Sequence, residues 1–128
     1  MGLDIDIERF DREFFEEYEG HYHDDKPGQG HVDYHTGSGK EDQLFYYRKH
    51  YVIRDTLVGL CNGMDQCTYH RLTKEMLEES RRIAQTAITT LDDDDPDKRH
   101  YLKWLEDVEK ILAETDFERQ VIALSWIS

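Results

Sequence analysis

Val121-Ile122-Ala123-Leu124-Ser125-Trp126-Ile127 is apolar or small on both sides of an extended chain. Ile122, Leu124 and Trp126 alternate with Val121, Ala123 and Ser125. A strand of that kind belongs in the middle of a sheet or under cover. The pattern predicts a strand within Phe117–Ile127. Its natural partner lies at the other end of the chain, where Leu3, Ile5 and Ile7 alternate with Asp4, Asp6 and Glu8. That period of two, with one apolar face, also reads as a strand.

Helical spacing fills most of the interval between them. Phe10, Phe14, Phe15 and Tyr18 predict a short helix, with Asp11 to cap its start and Gly20 to close it. Tyr46, His50, Ile53, Leu57 and Leu60 fall at steps of three and four, which predicts a helix from about Tyr47 after a short strand at Gln43–Tyr46. His50 is then expected on the core side of that helix, and Cys61-Asn62-Gly63 reads as its stop. Met64–Leu72 is expected to be short, irregular or extended. Thr73 suits the cap of a longer helix whose buried side includes Met76, Leu77, Ala84 and Ile88. Pro96 suits the first turn of another, running to about Glu114 and packing Tyr101, Leu102, Trp104, Leu105, Val108, Ile111 and Leu112. The expected fold class is α+β: a small sheet joining the N- and C-terminal strands, packed by about three longer helices. At 128 residues the chain is read as a single domain, 1–128. A His-rich, Gly-rich insertion occupies about 20–40.

The formal net charge is −13 and is unevenly spread. Residues 1–25 carry ten acids against two bases, and residues 92–118 carry eleven against four. The stretch between them, 26–91, is close to neutral. Two acidic blocks repel nucleic acid and anionic membranes and attract basic proteins. An acidic surface is also a common route to solubility. Glu13, Glu16, Glu17 and Glu19, with Asp92, Asp93, Asp94 and Asp95, are the candidate partner-facing charges. No run is long and apolar enough to span a bilayer. The start has neither a basic leader nor an apolar one, and the two cysteines, Cys61 and Cys67, read as free thiols. The expected location is the cytoplasm of a host cell.

Four of the seven histidines fall between His21 and His35. His21 and His23 are two apart, as are His31, Asp33 and His35, so each set would share one face of an extended arm. Lys26-Pro27-Gly28-Gln29-Gly30 can fold the arms together. His21, His23, His31, His35 and Asp33 are therefore a candidate Zn²⁺ set, structural rather than catalytic. A polar, solvated loop is the alternative. A second grouping, Cys61, Cys67 and His70 with His50, follows no common zinc spacing, and two thiols filling core space is the simpler expectation. The Asp92–Asp95 run lacks the spacing of a calcium loop and reads as a solvated connection.

Three short motifs add a resemblance. Met1-Gly2-Leu3-Asp4, Tyr46-Tyr47-Arg48-Lys49 and Asp65-Gln66-Cys67 are similar to motifs in a set of small phage and prophage proteins, which carry Tyr-Trp-Arg-Lys and Asp-Asp-Cys at the latter two. An acidic connector and a closing aromatic strand complete the likeness, and His21–His35 lies outside it. The resemblance implies a mobile-element origin. For a small acidic protein without catalytic motifs it also implies an inhibitor of host defence, with anti-CRISPR proteins that bind Cas9 as the leading example. The expected partner is a basic host protein of the Cas9 kind, with neither nucleic acid nor membrane bound directly. The alternative is a metal-dependent phosphodiesterase or nucleotide hydrolase of phage origin. The negative field and the lack of a recognisable base or phosphate loop argue against it.

Overall fold

A computed structural model of the chain describes residues 2–19, 31–64 and 66–128. The chain is α+β, with a five-stranded antiparallel sheet. The strands are β1 (Asp4–Asp11), β2 (His31–Asp33), β3 (Asp42–Arg48), β4 (Thr68–Leu72) and β5 (Gln120–Ile127). Their order across the sheet is β2-β4-β5-β1-β3. The helices are α1 (Arg12–Tyr18), α2 (Tyr34–Gly37), α3 (Tyr51–Leu60), α4 (Lys74–Thr90) and α5 (Pro96–Glu114).

The doubly apolar segment takes the central place. β5 lies between β4 and β1, and the two terminal strands pair from Asp4 with Ile127 to Asp11 with Gln120. Its alternation feeds two cores. Ile122 and Leu124 join Ile5, Ile7, Leu77 and Trp104 beneath α3, α4 and α5. Val121 and Ala123 join Phe10, Phe15, Val32 and Tyr69 on the other side, where α1 and α2 pack. Neither face of the middle strand is left to water, which is why no polar alternation appears in it.

The long helices are closed as their sequences dictate. The Thr73 hydroxyl accepts the Met76 N–H at 3.1 Å, and the Asp95 carboxylate accepts the Asp97 N–H at 2.9 Å ahead of Pro96. Each satisfies one of the donors a helix start leaves open. Asn62 (φ 58°) and Gly63 (φ 91°) take left-handed conformations after α3, and the Gly63 N–H donates to the Val58 carbonyl at 2.9 Å.

The 46–50 region departs from expectation. Tyr46, Tyr47 and Arg48 belong to β3, and the helix begins only at Tyr51. The cause is Lys49, which adopts φ 55° and donates its N–H to the Leu3 carbonyl at 2.8 Å. This left-handed turn breaks the chain between strand and helix, and it tucks His50 under the end of β3. Two smaller corrections follow. Leu102 is half exposed, and Cys67 is exposed while Cys61 is buried.

Candidate functional site

The expected metal set is only partly within view. His21 and His23 lie outside the described residues. His31 and Asp33 occupy alternate positions of β2 and so share a face, with Val32 buried on the other. His35 does not continue the alternation. The chain turns into α2 at Tyr34, so His35 sits exposed on a helix. His70 lies directly across from His31 in the β2–β4 register. Its Nδ1–H donates to the Arg71 carbonyl at 2.9 Å, and burial lowers its pKa. Among the described residues no three His, Cys, Asp or Glu side chains form a group that could hold a metal. The grouping of Cys61, Cys67, His70 and His50 is therefore not assembled, nor is a cation site in Asp92–Asp95.

The candidate partner-facing acids divide by what they already contact. Glu16 pairs with Arg12 at 2.6 Å, Glu19 with Arg71 at 2.5 Å and Asp93 with Lys98 at 2.6 Å. Asp95 serves as the α5 cap. Glu13, Glu17, Asp92 and Asp94 are exposed, with no ion pair among the described residues. The two groups stand far apart. Asp92–Asp95 leads into the start of α5. α1 is tied just beyond its far end, where the Arg12 guanidinium donates to the Phe117 carbonyl at 2.5 and 3.1 Å. A helix of 19 residues separates these ends by about 28 Å.

A dense titratable cluster among the described residues was not anticipated. His50 is 3% exposed, and its ring stacks on Tyr47 at 4.7 Å. Its Nδ1 lies 2.5 Å from Nδ1 of His100 on α5. One ring must donate there and the other accept, so both cannot be imidazolium while the contact lasts. Burial, then His100 and Lys103, push the His50 pKa down to about 4. Burial and Arg99 lower that of His100. Behind the pair, the Tyr47 hydroxyl donates to the fully buried Asp107 carboxylate at 2.5 Å, and Lys103 approaches the same carboxylate at 3.3 Å. Burial and this hydrogen bond raise the Tyr47 pKa, so the phenol stays protonated. Tyr46, Tyr47, Arg48, His50, Arg99, His100 and Lys103 line an open pocket of about 350 Å³ here.

A second buried acid sits on the other face of the sheet. Glu8 is 2% exposed, with both carboxyl oxygens 3.0 Å from the Ser125 hydroxyl. Burial pushes its pKa up to about 9, which leaves it protonated at neutral pH. Asp107 could have been found from the sequence, because it sits on the buried stripe of α5 between Trp104 and Val108. Glu8 could not, since an acid alternating with Ile5 and Ile7 reads as solvent-facing.

Comparison with protein-family models, curated proteins and solved structures finds no match for the chain.

Proposed function

We propose that the chain is a phage anti-defence binding protein, an anti-CRISPR type that docks its acidic ends on a basic surface of a Cas9-type effector. Occupying a channel that holds guide or target nucleic acid would block loading. The observation that supports this reading is the pair of acidic ends separated along α5. There Glu13 and Glu17, and Asp92 and Asp94, project carboxylates that no cation of the described fold engages. Opposite-sign surfaces set partner choice and encounter rate. A structural Zn²⁺ in the His21–His35 segment remains part of the proposal, with His31 and Asp33 as its contribution from β2.

The test is retention of a Cas9-type effector on the immobilised chain at about 0.1 M and about 1 M salt, where the Debye length falls from about 10 to about 3 Å. Retention at low salt, loss at high salt and weakening by Glu13→Lys with Glu17→Lys are expected. An effector that passes unretained at low salt would overturn the proposal. Elemental analysis of the native chain and a His21→Ala/His23→Ala/His31→Ala variant addresses the metal. Zinc is expected in the first alone.

A further inference from the structure

We propose that the pocket between the end of β3 and the first two turns of α5 binds a phosphate-class oxyanion, through Arg48, Arg99, Lys103 and the His50–His100 pair. Three cationic side chains and two imidazoles line one pocket in a chain of net charge −13. The fold does not consume all of that charge. Arg99 is exposed and has no ion pair among the described residues. Arg48 meets Asp4 only at 3.7 Å, with both side chains well exposed, a pairing of little strength in water. Lys103 is shared with Asp107. His50 Nε2 is buried without a hydrogen-bond partner among the described residues, a costly state for a ring nitrogen.

The chemistry favours an anion over a metal. Guanidinium groups present forked donors that match the oxygens of a phosphate. The two Nδ1 atoms are 2.5 Å apart, too close to ligate one Zn²⁺, whose bonds to imidazole are about 2.0–2.1 Å and tetrahedrally spread. The neighbouring cations would also repel it. The groups facing the imidazoles are Tyr47, Lys103, Arg99, Asp97 and, behind Tyr47, Asp107. Burial, with the Lys103 and Arg99 charges added to it, keeps the rings neutral. A dianion placed among them offsets those charges, so binding should be coupled to proton uptake by the pair.

The test follows the imidazole resonances of the isotopically labelled full chain during titration with inorganic phosphate, beside sodium chloride at matched ionic strength. Saturable movement of the His50 and His100 signals with phosphate alone is expected, with a rise in their apparent pKa. Arg99→Gln should weaken phosphate binding roughly tenfold, the scale of one charge-assisted hydrogen bond. Unchanged His31 and His70 signals would show that the variant is folded. Adenosine monophosphate titrated in parallel separates the sources. Tighter binding than phosphate assigns a nucleotide, and equal binding assigns the free anion. Equal movement with chloride overturns the proposal, as does wild-type phosphate affinity in a folded Arg48→Gln/Arg99→Gln variant.

Discussion

Burial beside Ser125 pushes the Glu8 carboxyl from 4.5 up to about 9, while burial beside His100 and Lys103 pushes His50 from 6.5 down to about 4. The two act on stability from opposite ends of the pH scale. Between 4.5 and about 9 the folded chain keeps a proton on Glu8 that the unfolded chain has released. Glu8 therefore costs stability progressively as pH rises through that window. For His50 the unfolded chain holds the extra proton, so stability present above 6.5 is lost as pH falls toward about 4. Glu8→Gln removes the alkaline contribution and leaves the acid one. Urea unfolding of both chains should show the variant gaining on the native protein as pH rises through the Glu8 window. The gain should approach about 1.4 kcal/mol per pH unit. Parallel pH profiles would show that Glu8 titrates normally.

At the scale of single elements, α4 depends on its first turn. Thr73 accepts the Met76 N–H, and Met76 Sδ in turn lies 3.4 Å from the Thr73 nitrogen. Thr73→Ala should lower the unfolding free energy by about 1 kcal/mol, with Thr73→Ser recovering most of it. Calorimetry of the three chains checks this. The same helix shows why some elements were legible in the sequence and others were not. α4 and α5 carry uninterrupted periods with a cap at each start, β1 alternates cleanly from Leu3 to Ile7, although it runs on through Phe10 to Asp11 where a helix was expected, and β5 is apolar on both faces. Each of these follows from local chemistry alone. The segment 44–50 does not, because a run of aromatic residues fits a strand and a helix equally well. What separates the two is Lys49 held in a left-handed turn by a carbonyl 46 residues away. The candidate site inherits that difficulty. His50 and His100 are brought together by the turn and by the packing of α3 on α5, and neither contact leaves a periodic trace. Ser80 was hidden similarly. Its polar side chain is fully buried because the Trp104 indole N–H donates to it at 3.0 Å.

For the whole molecule, the sheet is the common support of both cores. Leu124 is fully buried on the strand that both neighbours pair with. Leu124→Ala should cost about 2–5 kcal/mol, a large share of the roughly 5–15 kcal/mol typical of a domain. Chemical denaturation should show this as a shifted midpoint with an unchanged slope if the cores unfold as one unit.

The strand order also bears on how the molecule is made. β5 follows the other four strands in the chain, yet it belongs between β4 and β1. Without β5 the remaining strands would form two separate pairs, β2–β4 and β1–β3, each with an unpaired edge where β5 lies. Such edges invite pairing with other chains. Assembly is therefore a closing step between strands more than 100 residues apart, slow by its topology, and the molecule is most vulnerable to aggregation before β5 docks.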